Sequence, residues 1–137
     1  MKLIERKNSL QHLINVMNVP DIKLIAGIHS SGKSKLMDSF IDYLHEHNQN
    51  SNIIRINLNC NEFEPLKSGD LLYEYVDQHY DSTKENFLFI DEVQLCKDFE
   101  LSIISLHEEE RFNIFFNRIK LCSTIQRFSD SIRRTSL

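Results

Sequence analysis

The apolar run Ile22 to Ala26 leads directly into Gly27-Ile28-His29-Ser30-Ser31-Gly32-Lys33-Ser34, and Leu36, Met37, Phe40, Ile41 and Leu44 then recur at helical spacing. A buried strand, a glycine turn and an amphipathic helix in that order leave few folds open. The octapeptide satisfies G-x-x-x-x-G-K-[ST], the P-loop or Walker A pattern. The chain holds only three glycines, and two of them, Gly27 and Gly32, lie here. Glycine lets the backbone curl so that successive N–H groups point at phosphate oxygens, and the following helix adds its positive N-terminal dipole. Lys33 is expected to reach the β- and γ-phosphates and the Ser34 hydroxyl to hold Mg²⁺. The alternative is a Gly-rich turn with an incidental lysine; the strand before it and the helix after it argue against that.

The rest of the chain alternates in the same manner. Leu10, Leu13, Ile14 and Met17 predict a helix over residues 8–18, with Asn8 as its cap and Pro20 beyond its end. The helix after the P-loop runs to about His47. Ile54, Ile56 and Leu58 predict a strand over 53–58, followed by a loop containing Pro65 and Gly69. Leu72, Tyr75, Val76 and His79 mark a helix, and Phe87 to Ile90 a central strand. Phe99, Ile103 and Leu106 mark another helix, and residues 112–116 a fourth strand. Strands alternating with helices predict an α/β three-layer sandwich on a parallel sheet. Phe87, Phe89, Phe112, Phe115 and Phe116 fall in strand patterns and read as core, not as a base-stacking platform.

The central strand ends in Asp91-Glu92, where α/β sheets place ligand-binding side chains. Asp91 is expected to hold Mg²⁺ through water, and Glu92 to polarise an attacking water, as in a Walker B motif. The plainer readings are a helix cap for Asp91 and a solvated loop carboxylate for Glu92. The candidate nucleotide-binding set thus runs Gly27, Ile28, His29, Ser30, Ser31, Gly32, Lys33, Ser34 and Lys35. Ser34 and Asp91 are the metal ligands, and Lys33 and Glu92 the catalytic pair. His29 is as readily a loop filler, and Glu108-Glu109-Glu110 a solvated helix end.

Composition narrows the class further. No apolar run approaches the roughly 18 residues of a membrane helix, and MKLIERKNSL carries charge at once, so no secretory leader is expected. Cys60, Cys96 and Cys122 form no C-x-x-C pair and read as reduced thiols of a cytoplasmic protein. A net charge of −4 does not indicate nucleic acid as partner. That charge is uneven: residues 1–110 hold 10 basic and 19 acidic side chains, and residues 111–137 hold 6 and 1. A composition break therefore falls near residue 110.

With these residues in place, the chain resembles the N-terminal ATPase domain of the AAA+-like P-loop ATPases of archaea and bacteria that carry a C-terminal nuclease-like domain. The likeness runs from Ile4-Glu5-Arg6 through the P-loop, Phe40 to Leu44 and Ile53 to Leu58, to Phe89-Ile90-Asp91-Glu92-Val93-Gln94, and fades after Leu106. It implies ATP and Mg²⁺ as cofactors, and self-association or a missing C-terminal domain as partners. The family has two arginines within the stretch where Ile28-His29-Ser30-Ser31 stand, and threonine in place of Lys35. After the fourth strand it has Thr-Gly-Ser-Asn, whose polar side chain senses the γ-phosphate, where this chain reads Asn117-Arg118-Ile119-Lys120.

With suitable synonymous codons, residues 116–137 read one nucleotide out of frame can encode Leu-Thr-Gly-Ser-Asn and further family-like sequence. Residues 1–116 are therefore expected to form the ATPase domain, with about four strands and the fifth missing, and 117–137 a divergent or frameshifted basic tail. The loss would leave strand 22–26 an exposed apolar edge. The expected function is Mg²⁺-dependent ATP binding; if hydrolysis occurs, Lys33, Ser34, Asp91 and Glu92 carry it. The alternatives are a truncated, non-catalytic remnant and a P-loop kinase acting on a small metabolite.

Overall fold

A computed structural model describes the backbone of residues 2–5, 10–26 and 30–117, and the side chains of 10–25 and 35–117. Residues 118–137, with Cys122, lie outside the described residues; of the expected tail 117–137 only Asn117 is described, and it ends the last described strand. The elements are β1 (Lys2–Glu5), α1 (Leu10–Val16), β2 (Lys23–Ala26), α2 (Ser30–His47), β3 (Ser51–Asn57), α3 (Gly69–Gln78), β4 (Glu85–Asp91), α4 (Phe99–Glu108) and β5 (Phe112–Asn117). The sheet is parallel throughout, in the order β1-β2-β5-β4-β3. The α/β sandwich expected from the alternating pattern is present, with all four expected strands.

Its edge differs from expectation. The P-loop strand β2 is not exposed: β1 pairs along its whole length, from Lys2 opposite Lys23 to Glu5 opposite Ala26. The sheet therefore has five strands, and β2 lies inside it between β1 and β5. A four-residue strand carrying charge at both ends shows no run long enough to be read from alternation.

Phe87 to Ile90 is apolar without interruption because both faces of β4 are covered. Leu88 and Ile90 join Leu24, Ile54, Ile114 and Phe116 under Leu72 and Val76 of α3 and Ile103 and Leu106 of α4. Phe87 and Phe89 face the other way, with Ile25 and Phe115, against Leu13 of α1 and Met37, Phe40 and Leu44 of α2. Phe89 and Phe115 stack at 5.1 Å. These aromatics are core, as their strand positions implied.

Gly69 opens α3 and does not lie in a loop. A Cβ there would sit 2.6 Å from the Asp98 carbonyl oxygen and 2.9 Å from Ser102 Oγ. The residue must be small because α4 begins against it: Ser102 Oγ donates to the Gly69 carbonyl at 2.6 Å, and Gly69 N–H donates to Lys97 O at 2.9 Å. Pro65 lies within a 3₁₀ helix, Asn61–Lys67. The first helix is shorter than the expected 8–18, and Asn8 lies outside the described residues. Glu109 is more than a solvated helix end, since it accepts from Tyr73 of α3 and pairs with Arg111.

At the pole where the strands begin, a cavity of about 840 Å³ is lined by Lys23, Tyr80, Arg111 and Phe112, among others. Lys23 is buried there, its Nζ 3.4 Å from the Met17 carbonyl and 5.1 Å from the centre of the Phe115 ring. Desolvation pushes its amine down to about 8. Cys60 and Cys96 are free thiols, and burial pushes Cys96 up to about 11. No described helix is long and apolar enough to cross a membrane.

Candidate functional site

The other pole, where the parallel strands end, gathers the residues that carry chemistry. β2 leads towards α2, whose first turn is Ser30, Ser31, Gly32 and Lys33, with Ser34 next. The first four N–H groups of a helix have no partner within it, so this turn offers donors at the strand ends. Gly27, Ile28 and His29 lie outside the described residues, as do the side chains of residues 30–34. Lys35 is exposed on α2.

Asp91 closes β4 with its side chain 1% exposed. It lies on the α2 face because its odd register position follows Phe87 and Phe89. Asn117 closes β5 and is fully buried. Its Nδ2 donates to Asp91 Oδ1, and its Oδ1 accepts the backbone N–H of Glu92 at 2.8 Å. The same Nδ2 lies 3.7 Å from Met37 Sδ, so the second turn of α2 covers the pair. Arg55 of β3 completes the group: its Nη2 is 2.6 Å from Asp91 Oδ2 and 3.1 Å from Asp38 Oδ1.

Glu92 departs from the strand in the left-handed region, at φ 58° and ψ 50°. A non-glycine residue there carries a cost of about 1 kcal/mol or more, and such strain gathers at functional sites. The turn drives the carboxylate inward, and Glu92 is buried. Gln94 Nε2 donates to Glu92 Oε2 at 2.6 Å. Glu92 Oε1 and Gln94 Oε1 are buried with no hydrogen-bond partner among the described residues. Two unanswered acceptors beside a buried aspartate fit a donor such as water, or a hard cation with its hydration shell.

The plainer readings of the acidic pair are not what the structure holds. Asp91 is buried at the end of β4, bonded to Asn117 and Arg55, and Glu92 is not a solvated loop carboxylate. Three residues of this group escaped the motif reading. Asn117 could have been found as Asp91 was, as a polar residue ending an apolar strand. Arg55 shows as a charge between Ile54 and Ile56, both buried on the opposite face. Gln94 carries no signal in a single sequence.

A family profile described as "AAA domain" matches residues 19–119, well over half of the chain. A protein of Haemophilus influenzae, described only as "Uncharacterized protein", is 30% identical over 106 residues, covering 76% of this chain and 26% of that protein. The chain thus spans about a quarter of that relative's length. No solved structure matches with significance.

Proposed function

The chain belongs to the AAA domain family, and from that premise we propose that it binds ATP with Mg²⁺ and hydrolyses it. One observation carries this reading. Asp91 and Glu92 stand at the end of β4, both bonded by Asn117, and α2, whose first residues include Gly32, Lys33 and Ser34, lies over Asn117.

On this reading the N–H groups opening α2 cradle the phosphates, and Lys33 pairs with the β- and γ-phosphoryl oxygens. Ser34 and Asp91 hold Mg²⁺, which when bound neutralises charge developing on the transferred phosphoryl group. Oxygen donors of this kind suit that ion. Glu92 Oε1, which has no hydrogen-bond partner among the described residues, accepts a proton of the attacking water, and Gln94 keeps the carboxylate turned towards it. Asn117 holds both acids in register.

A second reading is nucleotide binding without turnover. The pairing of Arg55 with Asp91 and the inward, pinned Glu92 favour it. Equilibrium binding of a fluorescent ATP analogue and phosphate release separate the two. Lys33→Ala is expected to abolish binding, and Glu92→Gln to keep binding and stop turnover. Equal affinity of wild type and Lys33→Ala would remove the proposal. Binding without phosphate release in the wild type would select the second reading.

A further inference from the structure

Arg55 is the charged member of the strand-end cluster to which neither motif assigns a role. Its guanidinium lies 2.6 Å from Asp91 Oδ2, while Asn117 donates to Oδ1, so donors of this chain engage both carboxylate oxygens. Nη2 also lies 3.1 Å from Asp38 Oδ1, and Nη1 donates to Met37 Sδ at 2.8 Å. Asp91 is 1% exposed and Arg55 26%. Ion pairs between exposed side chains count for little, but a carboxylate taken out of water needs a cation beside it. Among the described residues, Arg55 is that cation.

The same position bears on how a divalent ion can enter. Among the described residues no group of three or more His, Cys, Asp or Glu could hold a metal. An ion arriving alone would meet few carboxylates and a fixed positive charge already on the relevant oxygen. An ion arriving on a polyphosphate brings its own oxygen ligands and an excess of negative charge, which attracts the guanidinium and offsets its repulsion.

We propose that Arg55 is the resident counter-ion of Asp91, neutralising this carboxylate while no nucleotide is bound and restricting the site to a divalent cation delivered with a polyphosphate. This rests on Asp91 being the metal-side acid of the proposed function. The test is Mn²⁺ binding to the full chain without nucleotide, followed by water-proton relaxation. It compares wild type, Arg55→Met, Arg55→Lys and the double variant Arg55→Met/Asp91→Asn.

Arg55→Met is expected to bind Mn²⁺ about tenfold more tightly than wild type, and the double variant to lose the gain. In chelator Arg55→Met is expected to melt below wild type, with Mn²⁺ restoring it. Should Arg55→Met fail to fold, Arg55→Lys carries the test. It keeps the charge and loses the planar fork, so about threefold tighter binding is expected. A folded variant that binds Mn²⁺ no better than wild type, or a double variant that keeps the gain, overturns the proposal. Because no nucleotide is present, this outcome is independent of ATP binding. Wild type that binds Mg²⁺-ATP beside unresponsive Arg55 variants would sink the counter-ion alone.

Discussion

Asn117 accepts the backbone N–H of Glu92 at 2.8 Å, across the gap between the ends of β5 and β4. The bond holds the peptide that turns the chain into the left-handed region, and the other end of the same amide reaches Asp91. One neutral side chain therefore sets the direction of both acids. Where the resembled family carries Thr-Gly-Ser-Asn after this strand, β5 itself ends on a polar amide.

Asn117→Ala leaves the Glu92 N–H buried without a partner. It is expected to destabilise the fold by about 2 kcal/mol, read by denaturant unfolding. On the proposed function, ATP turnover falls about a hundredfold while nucleotide affinity changes little. Unchanged turnover in the folded variant would show that the amide serves the fold alone.

Glu92 gives the opposite sign. Glycine takes φ 58° without strain, and the substitution removes a buried, half-answered carboxylate. Glu92→Gly is expected to raise the melting temperature, by an amount corresponding to about 1 kcal/mol, and to end turnover. A lower melting temperature would mean that the carboxylate contributes more to the fold than the turn costs.

Gly69→Ala tests the joint between α3 and α4. The added Cβ meets a backbone oxygen at 2.6 Å, and that oxygen cannot move without shifting the start of α4. A loss of about 1–3 kcal/mol is expected, measured as a shift in the urea midpoint. A variant as stable as wild type would show that the two helices slide apart freely.

Lys23 predicts a pH dependence. Its amine lies at about 8 in the folded chain against an ordinary 10.5, so between those values the unfolded chain binds more protons. Stability from this group therefore rises with pH across that window. Lys23→Met is expected to be more stable than wild type below pH 8, and the difference should shrink as pH approaches 10.5. Melting both proteins at pH 7.5 and 9.5 reads this directly, and a constant difference would refute it.

Most of the architecture is legible in the sequence, because β4 and the strand–turn–helix around Lys33 state their periods plainly. Asp91 is legible for a related reason, as a charge that ends an apolar run. What escapes notice is whatever depends on a distant neighbour. Gly69 looks like a loop glycine until Asp98 is brought against it. Leu3 and Ile4 are too short an apolar pair to show a strand until β2 is laid beside them. Arg55 looks like the solvated side of an alternating strand, and only the approach of Asp91 and α2 makes it part of the site.

The pairing of β1 with β2 also bears on synthesis. β2 finds its first neighbour roughly twenty residues back along the chain, and its second, β5, roughly ninety residues ahead. As the polypeptide leaves the ribosome, one flank of the P-loop strand can therefore be closed early by a short-range contact. The other flank stays open until β5 emerges, so chaperone demand should be concentrated in that interval.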